Sequence, residues 1–166
     1  MNLPSLSFNT LILAGVVGAF AVAFFAGEGR VKKLAAGSLV GYLAAMQLGQ
    51  LAQEQLAKVS FVPDASVGTV QLILFGLVAV LFNLGKVHHV EGRPRVSIES
   101  VAVGVITCLF VFTSVLGFMG ESTRQDLLTN YNLAAQLYSL RLLWLGLTVS
   151  GLILIEVMGG NTKRPR

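Results

Sequence analysis

Residues 31–49 read VKKLAAGSLVGYLAAMQLG, an apolar run with Lys32 and Lys33 at its start. Beyond its end stands a glutamine-rich stretch holding Gln50, Gln53, Glu54 and Gln55. Four other apolar runs, at about 6–26, 67–84, 98–119 and 140–158, are more uniformly hydrophobic. Each spans about 18 to 22 residues, enough for a helix to cross about 30 Å of hydrocarbon with some tilt. Whether 31–49 is also a crossing therefore decides both the number of spans and the sides on which the loops lie.

Composition sets the frame. Of 166 residues, 54% are hydrophobic and only 12% charged. That is about half the charged share of an ordinary soluble chain, too little polar surface to cover a soluble fold of this size. No inter-run segment is long enough to fold as a separate catalytic domain. The net charge of +4 does not signal nucleic acid, because the basic residues sit between the apolar runs rather than in one patch.

The distribution of Lys and Arg resolves the count. Arg30, Lys32 and Lys33 lie in the first inter-run segment, Lys86, Arg93 and Arg95 in the third, and Lys163, Arg164 and Arg166 in the tail 160–166. Only Lys58, Arg124 and Arg141 fall elsewhere, so nine of the twelve basic residues share one side if 31–49 crosses. The positive-inside rule makes that side cytoplasmic. A four-span arrangement breaks the alternation. The expected fold is an all-α integral membrane protein of about five transmembrane helices, amino terminus outside and carboxyl terminus in the cytoplasm, multi-pass in the inner (plasma) membrane. The first run is expected to be an uncleaved anchor: Ala21-Val22-Ala23 has the form of a cleavage site, but no Lys or Arg precedes the run as a signal peptide requires.

Between the fourth and fifth runs, Leu127, Leu128, Tyr131, Ala134, Ala135 and Tyr138 recur at helical spacing among polar residues. Residues 122–138 are expected to form an amphipathic helix on the outer surface. Ser122 and Gln125 have the form of a capping box at its start. Tyr138 and Trp144 suit an outer interface, and Gly159-Gly160 is expected to end the last helix.

Small residues recur every four positions on two runs. Gly15, Ala19, Ala23 and Gly27 do so on the first, and Gly37, Gly41, Ala45 and Gly49 on the second. Such stripes let helix backbones approach closely in lipid. They are expected to pack the first two helices together, and self-association or a partner membrane protein is the other reading.

Candidate chemistry is sparse. Glu156 is the one carboxylate inside an expected span, a candidate ion-pair or proton site. Its position one turn from the inner end favours a structural role. Arg141 is its mirror at the outer end, with Glu54 or Asp126 as candidate partners. Glu99 suits the first turn of a helix, where its charge meets the helix dipole. Adjacent His88 and His89, with Glu91, make too small a set for a metal, and Cys108 is the only cysteine. No nucleophile, base and orienting group assemble on one side. Neither a catalytic site, a metal nor a cofactor is expected. Arg30, Lys32, Lys33, Arg93, Arg95, Lys163, Arg164 and Arg166 suit contact with anionic lipid.

From Leu11 to Met119 the chain resembles the colicin V production protein family. The resemblance rests on the outward-starting first helix, the basic turn Gly27-Glu28-Gly29-Arg30, the glycines Gly37, Gly41 and Gly49, and a basic inner loop before the fourth span. In place of the family's usual Arg-Leu-Gly type stretch stand Gly92-Arg93-Pro94-Arg95 and Gly104, and a fifth span is added. It implies a bacterial inner-membrane role in envelope homeostasis or export, with no catalytic residues. The leading expectation is a non-enzymatic membrane subunit or assembly factor working through helix packing and contacts with lipid and partners. The alternative is a small transporter or channel, with Glu156 or the polar end of the second span on its path.

Overall fold

The computed structural model of the protein describes residues 27–58, 66–84 and 97–160. These residues are all-helical, in six helices: α1 Glu28–Ala57, α2 Val67–Leu84, α3 Ile98–Phe118, α4 Glu121–Asn130, α5 Asn132–Ser139 and α6 Arg141–Gly160. The expected first span 6–26, the inner-loop histidines and the basic tail lie outside the described residues.

The 31–49 run belongs to a helix of 30 residues, about 45 Å at 1.5 Å per residue. It starts at Gly27, whose φ of 74° suits a residue without a Cβ, and Glu28 sits in its first turn. It continues to Ala57, well past Gly49, because the glutamine-rich stretch is polar but made of good helix formers. Loss of apolar character ends a span without ending a helix. Helix α3 begins with a capping box one element earlier than expected. The Ser97 hydroxyl accepts from the Ser100 amide at 3.1 Å, and the Ser97 amide donates to the Ser100 hydroxyl at 3.2 Å. Glu99 is in the first turn of α3.

The box expected at Ser122 does not form. Helix α4 starts at Glu121, Gly120 supplies its N-cap without a side-chain bond, and Gln125 donates to Glu121 at 3.4 Å instead. The single amphipathic helix 122–138 is likewise corrected. It is broken at Tyr131 (φ −129°, ψ 96°), which ends α4 and caps α5. Asn130 and Asn132 flank the break, residues that favour turns over helix interiors. Asn130 turns its amide to Asp126 at 2.8 Å. Only α5 contributes a buried residue, Ala134; α4 has none.

A second break at Leu140 bends α5 away from α6 by 57°. The Trp144 indole donates to the Leu137 carbonyl at 3.1 Å, satisfying an acceptor freed at the end of α5. Helix α6 runs to Gly160, so its described end falls at the glycine pair.

Two described helices, α3 and the Glu28–Leu56 part of α1, are long and apolar enough to cross a membrane. There are three if Asn132–Ser139 and Arg141–Val157 count as one bent span. The apolar part of α2, Val67–Phe82, is shorter. Two to three such helices are thus found where four of the five expected spans fall.

Helices α1, α2, α3 and α6 alternate in direction. The start of α1 meets the end of α6 (Lys32 with Glu156), and the start of α2 meets the end of α3 (Gly68 with Phe118). The most extensive contact joins α1 to α2. It is made by the four-spaced stripe: a Cβ added at Gly37 would lie 2.8 Å from Phe82 Cβ, and one at Gly41 2.9 Å from the Phe75 carbonyl oxygen. Gly49 meets Gln71, and Ala45 is wholly buried. The stripe on α1 is therefore covered from within the chain by α2. The matching stripe at Gly15, Ala19 and Ala23 lies outside the described residues.

Two apolar clusters fill the bundle. Val31, Ala35, Val103 and Ile155 pack near the start of α1, and Ala45, Phe75 and Phe118 toward the other end. The interior is also rich in hydroxyls: Ser38, Ser100, Thr107, Thr113, Ser114 and Thr148 are buried. Each donates to a carbonyl three or four residues back in its own chain, at 2.7 to 3.0 Å. Burial without such a bond would cost each hydroxyl its hydration. The outer surface is the reverse, with Leu43, Ile73, Leu77, Leu142, Ile153 and Val157 all more than half exposed.

Candidate functional site

The end of the bundle where α2 and α6 begin and α3 finishes encloses a cavity of about 310 Å³. Its aromatic lining comes from two helices: Tyr42 on α1, and Phe110 and Phe118 on α3. The Tyr42 ring stands 5.4 Å from Phe110, nearly edge-on, and 5.7 Å from Phe118. Such tilted contacts suit the ring quadrupoles and fix where the Tyr42 hydroxyl points. Gln71 reaches the cavity from the second turn of α2, its stem seated against Gly49. A side chain at position 49 would displace it.

Arg141 lines the same cavity from the first residue of α6. Its guanidinium donates to the Tyr138 hydroxyl and lies over the Tyr138 ring, 5.0 Å from the centroid. Arg124 approaches that ring to 5.9 Å and donates to the Gly117 carbonyl at 3.3 Å, tying α4 to the end of α3. Tyr138 is thus held by two cations, and α5, with Ala134 buried, packs against the end of α3.

The cavity's polar groups are unequally committed. Thr113 and Ser114 both spend their protons on the Phe110 carbonyl, leaving oxygen lone pairs as acceptors. Among the described residues, the Tyr42 hydroxyl and the Gln71 amide make no hydrogen bond, and Arg141 forms no ion pair. Among the described residues no carboxylate or histidine lines the cavity. Those residues offer donors and a positive charge, which suits binding an acceptor-rich or anionic group.

The other expected site residues fall elsewhere. Glu156 is at the opposite end of α6 from Arg141, so the two do not pair. Lys32 lies between Glu28 at 3.1 Å and Glu156 at 3.0 Å. With its side chain 77% exposed, Glu156 is a surface ion-pair partner rather than a buried charge. Neither Glu54 nor Asp126 reaches Arg141; its partner is Tyr138. Arg30 is exposed beside Lys32. Lys33 borders an open apolar groove with Lys32, Ala36, Phe82, Leu152, Ile153 and Glu156. Arg93, Arg95, Lys163, Arg164 and Arg166 lie outside the described residues. Among the described residues no group of three or more His, Cys, Asp or Glu could hold a metal.

Sequence reasoning did not single out Tyr42, Thr113 or Ser114, though a phenol in the middle of an apolar run was a visible signal. The chain was compared with known protein families, with curated proteins and with solved structures, and it matches none of them.

Proposed function

We propose that the chain is a non-enzymatic integral membrane subunit or assembly factor that acts through helix packing and contacts with lipid and partner proteins. The observation that carries this reading is the apolar exterior. Large aliphatic residues face outward from α1, α2 and α6, while the interior combines Val, Ile and Phe clusters with close-packed glycines and alanines and internally bonded hydroxyls. In water so extended an apolar exterior would drive aggregation; in lipid it is the solvated surface, and close packing of small residues holds the helices together.

The full expectation is five crossings with the amino terminus outside, the run 6–26 supplying the first. The charge alternation supports that orientation. The Lys32 end of the bundle would face the cytoplasm, and Tyr138, Arg141 and Trp144 would lie at the outer interface, where amphipathic rings are favoured. The resemblance to the colicin V production protein family favours the bacterial inner membrane and an envelope role. A transport role has less support: the polar cavity lies toward one end, and the dry cluster of Val31, Ala35, Val103 and Ile155 occupies the other.

Reporter fusions test the topology. A fusion after Gly160 should report cytoplasm, and one within 60–66 should report the outside; the reverse at either point refutes the orientation. Crosslinking in native membranes, followed by identification of the neighbours, tests the subunit role. A chain recovered only as a monomer with no neighbour would count against it.

A further inference from the structure

The geometry points to the cavity between Tyr42, Gln71 and Arg141 as a binding site for the phosphate-bearing headgroup of an anionic phospholipid. This inference rests on the membrane reading above and adds a ligand class to it. Three donors from three helices line it: a phenol and a primary amide that make no hydrogen bond among the described residues, and a guanidinium with one N–H given to Tyr138. Beside them only the lone pairs of Thr113 and Ser114 are acceptors among the hydroxyls described there. A phosphate diester supplies several acceptor oxygens and a negative charge, and Arg is the side chain best matched to such a group.

Three further features narrow the ligand. Among the described residues the lining holds no carboxylate to neutralise a cationic headgroup, and Arg141 would repel one. The volume, about 310 Å³, is at the small end of ligand pockets and suits a headgroup rather than a whole lipid. The wall also includes Met46 and Leu142, which are 50% and 73% exposed and continue onto the apolar outside of the bundle. An acyl chain can leave the cavity along them without crossing a polar rim. A soluble phosphate ester would gain nothing from that path. Tyr138 holds the guanidinium from behind by a hydrogen bond and a cation–π contact, so Arg141 is already oriented before a ligand arrives.

The test uses the full chain in phosphatidylcholine vesicles and reads Trp144, the only tryptophan, three residues from Arg141. Quenching is compared between brominated phosphatidylglycerol and brominated phosphatidylcholine at equal mole fractions. The expected result is a preference for the anionic lipid on the order of tenfold, the scale of a hydrogen-bonded charge. Arg141→Gln should abolish it and Arg141→Lys should keep part of it. Gln71→Leu should weaken it, which keeps the test open should Arg141→Gln fail to fold by circular dichroism. Glu99→Gln, exposed at the other end of the bundle, should leave Trp144 quenching unchanged.

Equal quenching by the two lipids in the wild-type chain, or an undiminished preference in folded Arg141→Gln, overturns the proposal. Displacement of the lipid by millimolar glycerol 3-phosphate would make the ligand a soluble phosphate ester and overturn the lipid assignment. Release of the chain from vesicles by alkaline carbonate would instead refute the membrane reading, a separate outcome.

Discussion

Replacing Gly41 by alanine, compared with the same change at Gly76, measures how tightly α1 and α2 are joined. A Cβ at Gly41 would stand 2.9 Å from the Phe75 carbonyl oxygen and 3.3 Å from Phe75 Cδ2. The first contact is with backbone, which cannot swing aside as a side-chain tip can. Relief requires α2 to move outward by about half an ångström, loosening the contacts at Gly37 and Gly49 in the same stripe. Overpacking of this kind costs about 1–3 kcal/mol. Alanine also gains up to about 1 kcal/mol over glycine from helix propensity, which partly hides the cost. Gly76 is helical too, but a Cβ there meets nothing within 4 Å. The difference between the two variants therefore cancels the propensity gain and leaves the packing cost, about 1–3 kcal/mol. Unfolding in mixed detergent, followed by Trp144 fluorescence and far-ultraviolet circular dichroism, measures both. Gly41→Ala as stable as Gly76→Ala would refute the close approach of α1 and α2.

Other substitutions separate the remaining interactions. Ser97→Ala removes the capping box of α3 and should destabilise the chain by about 1 kcal/mol, with hydrogen exchange accelerated in its first turn. Thr107→Val should change stability by less than about 1 kcal/mol, because the lost hydroxyl bonds only to the Val103 carbonyl of its own helix. A large loss there would show that Thr107 serves another helix. Glu156→Gln should cost less than about 1 kcal/mol and the effect should fade in high salt, as expected of a largely exposed ion pair. Arg124→Ala removes the bond to Gly117 and one face of the Tyr138 sandwich. It should speed limited proteolysis in 121–131 while leaving exchange in α3 unchanged.

Much of the helix content was legible because apolar run length is a property of the chain alone. The positions of α2, α3 and α6 follow from it to within a residue or two. The stripe Gly37, Gly41, Ala45 and Gly49 was equally legible as a packing face, since a period of four on a helix puts small side chains in one line. Its neighbour was not. A smooth ridge accepts any helix of suitable shape, and only the bulky residues of α2, Phe75 and Phe82, show what covers it here. The break at Tyr131 escaped a reading by periodicity because 122–138 keeps its spacing across both halves, whereas the bend at Leu140 falls at the boundary drawn between 122–138 and 140–158. The two asparagines were the only local sign.

The cavity was the least legible feature. Tyr42, Gln71 and Arg141 are far apart in the chain, and each has an ordinary explanation on its own helix: a mid-run phenol, an interhelical amide, a snorkelling cation. Their convergence depends on the alternating directions of α1, α2 and α6 and on the rotation of each helix about its axis, which are set by packing between helices. By itself the sequence determined that the described residues are helical, where the apolar runs lie and which face of α1 is smooth, because each of these is a local pattern of length and spacing. The tertiary structure alone decided that α2 closes that face, that α5 turns across the bundle's end, and that Tyr42, Gln71 and Arg141 share one cavity, because each depends on contacts between residues distant in the chain.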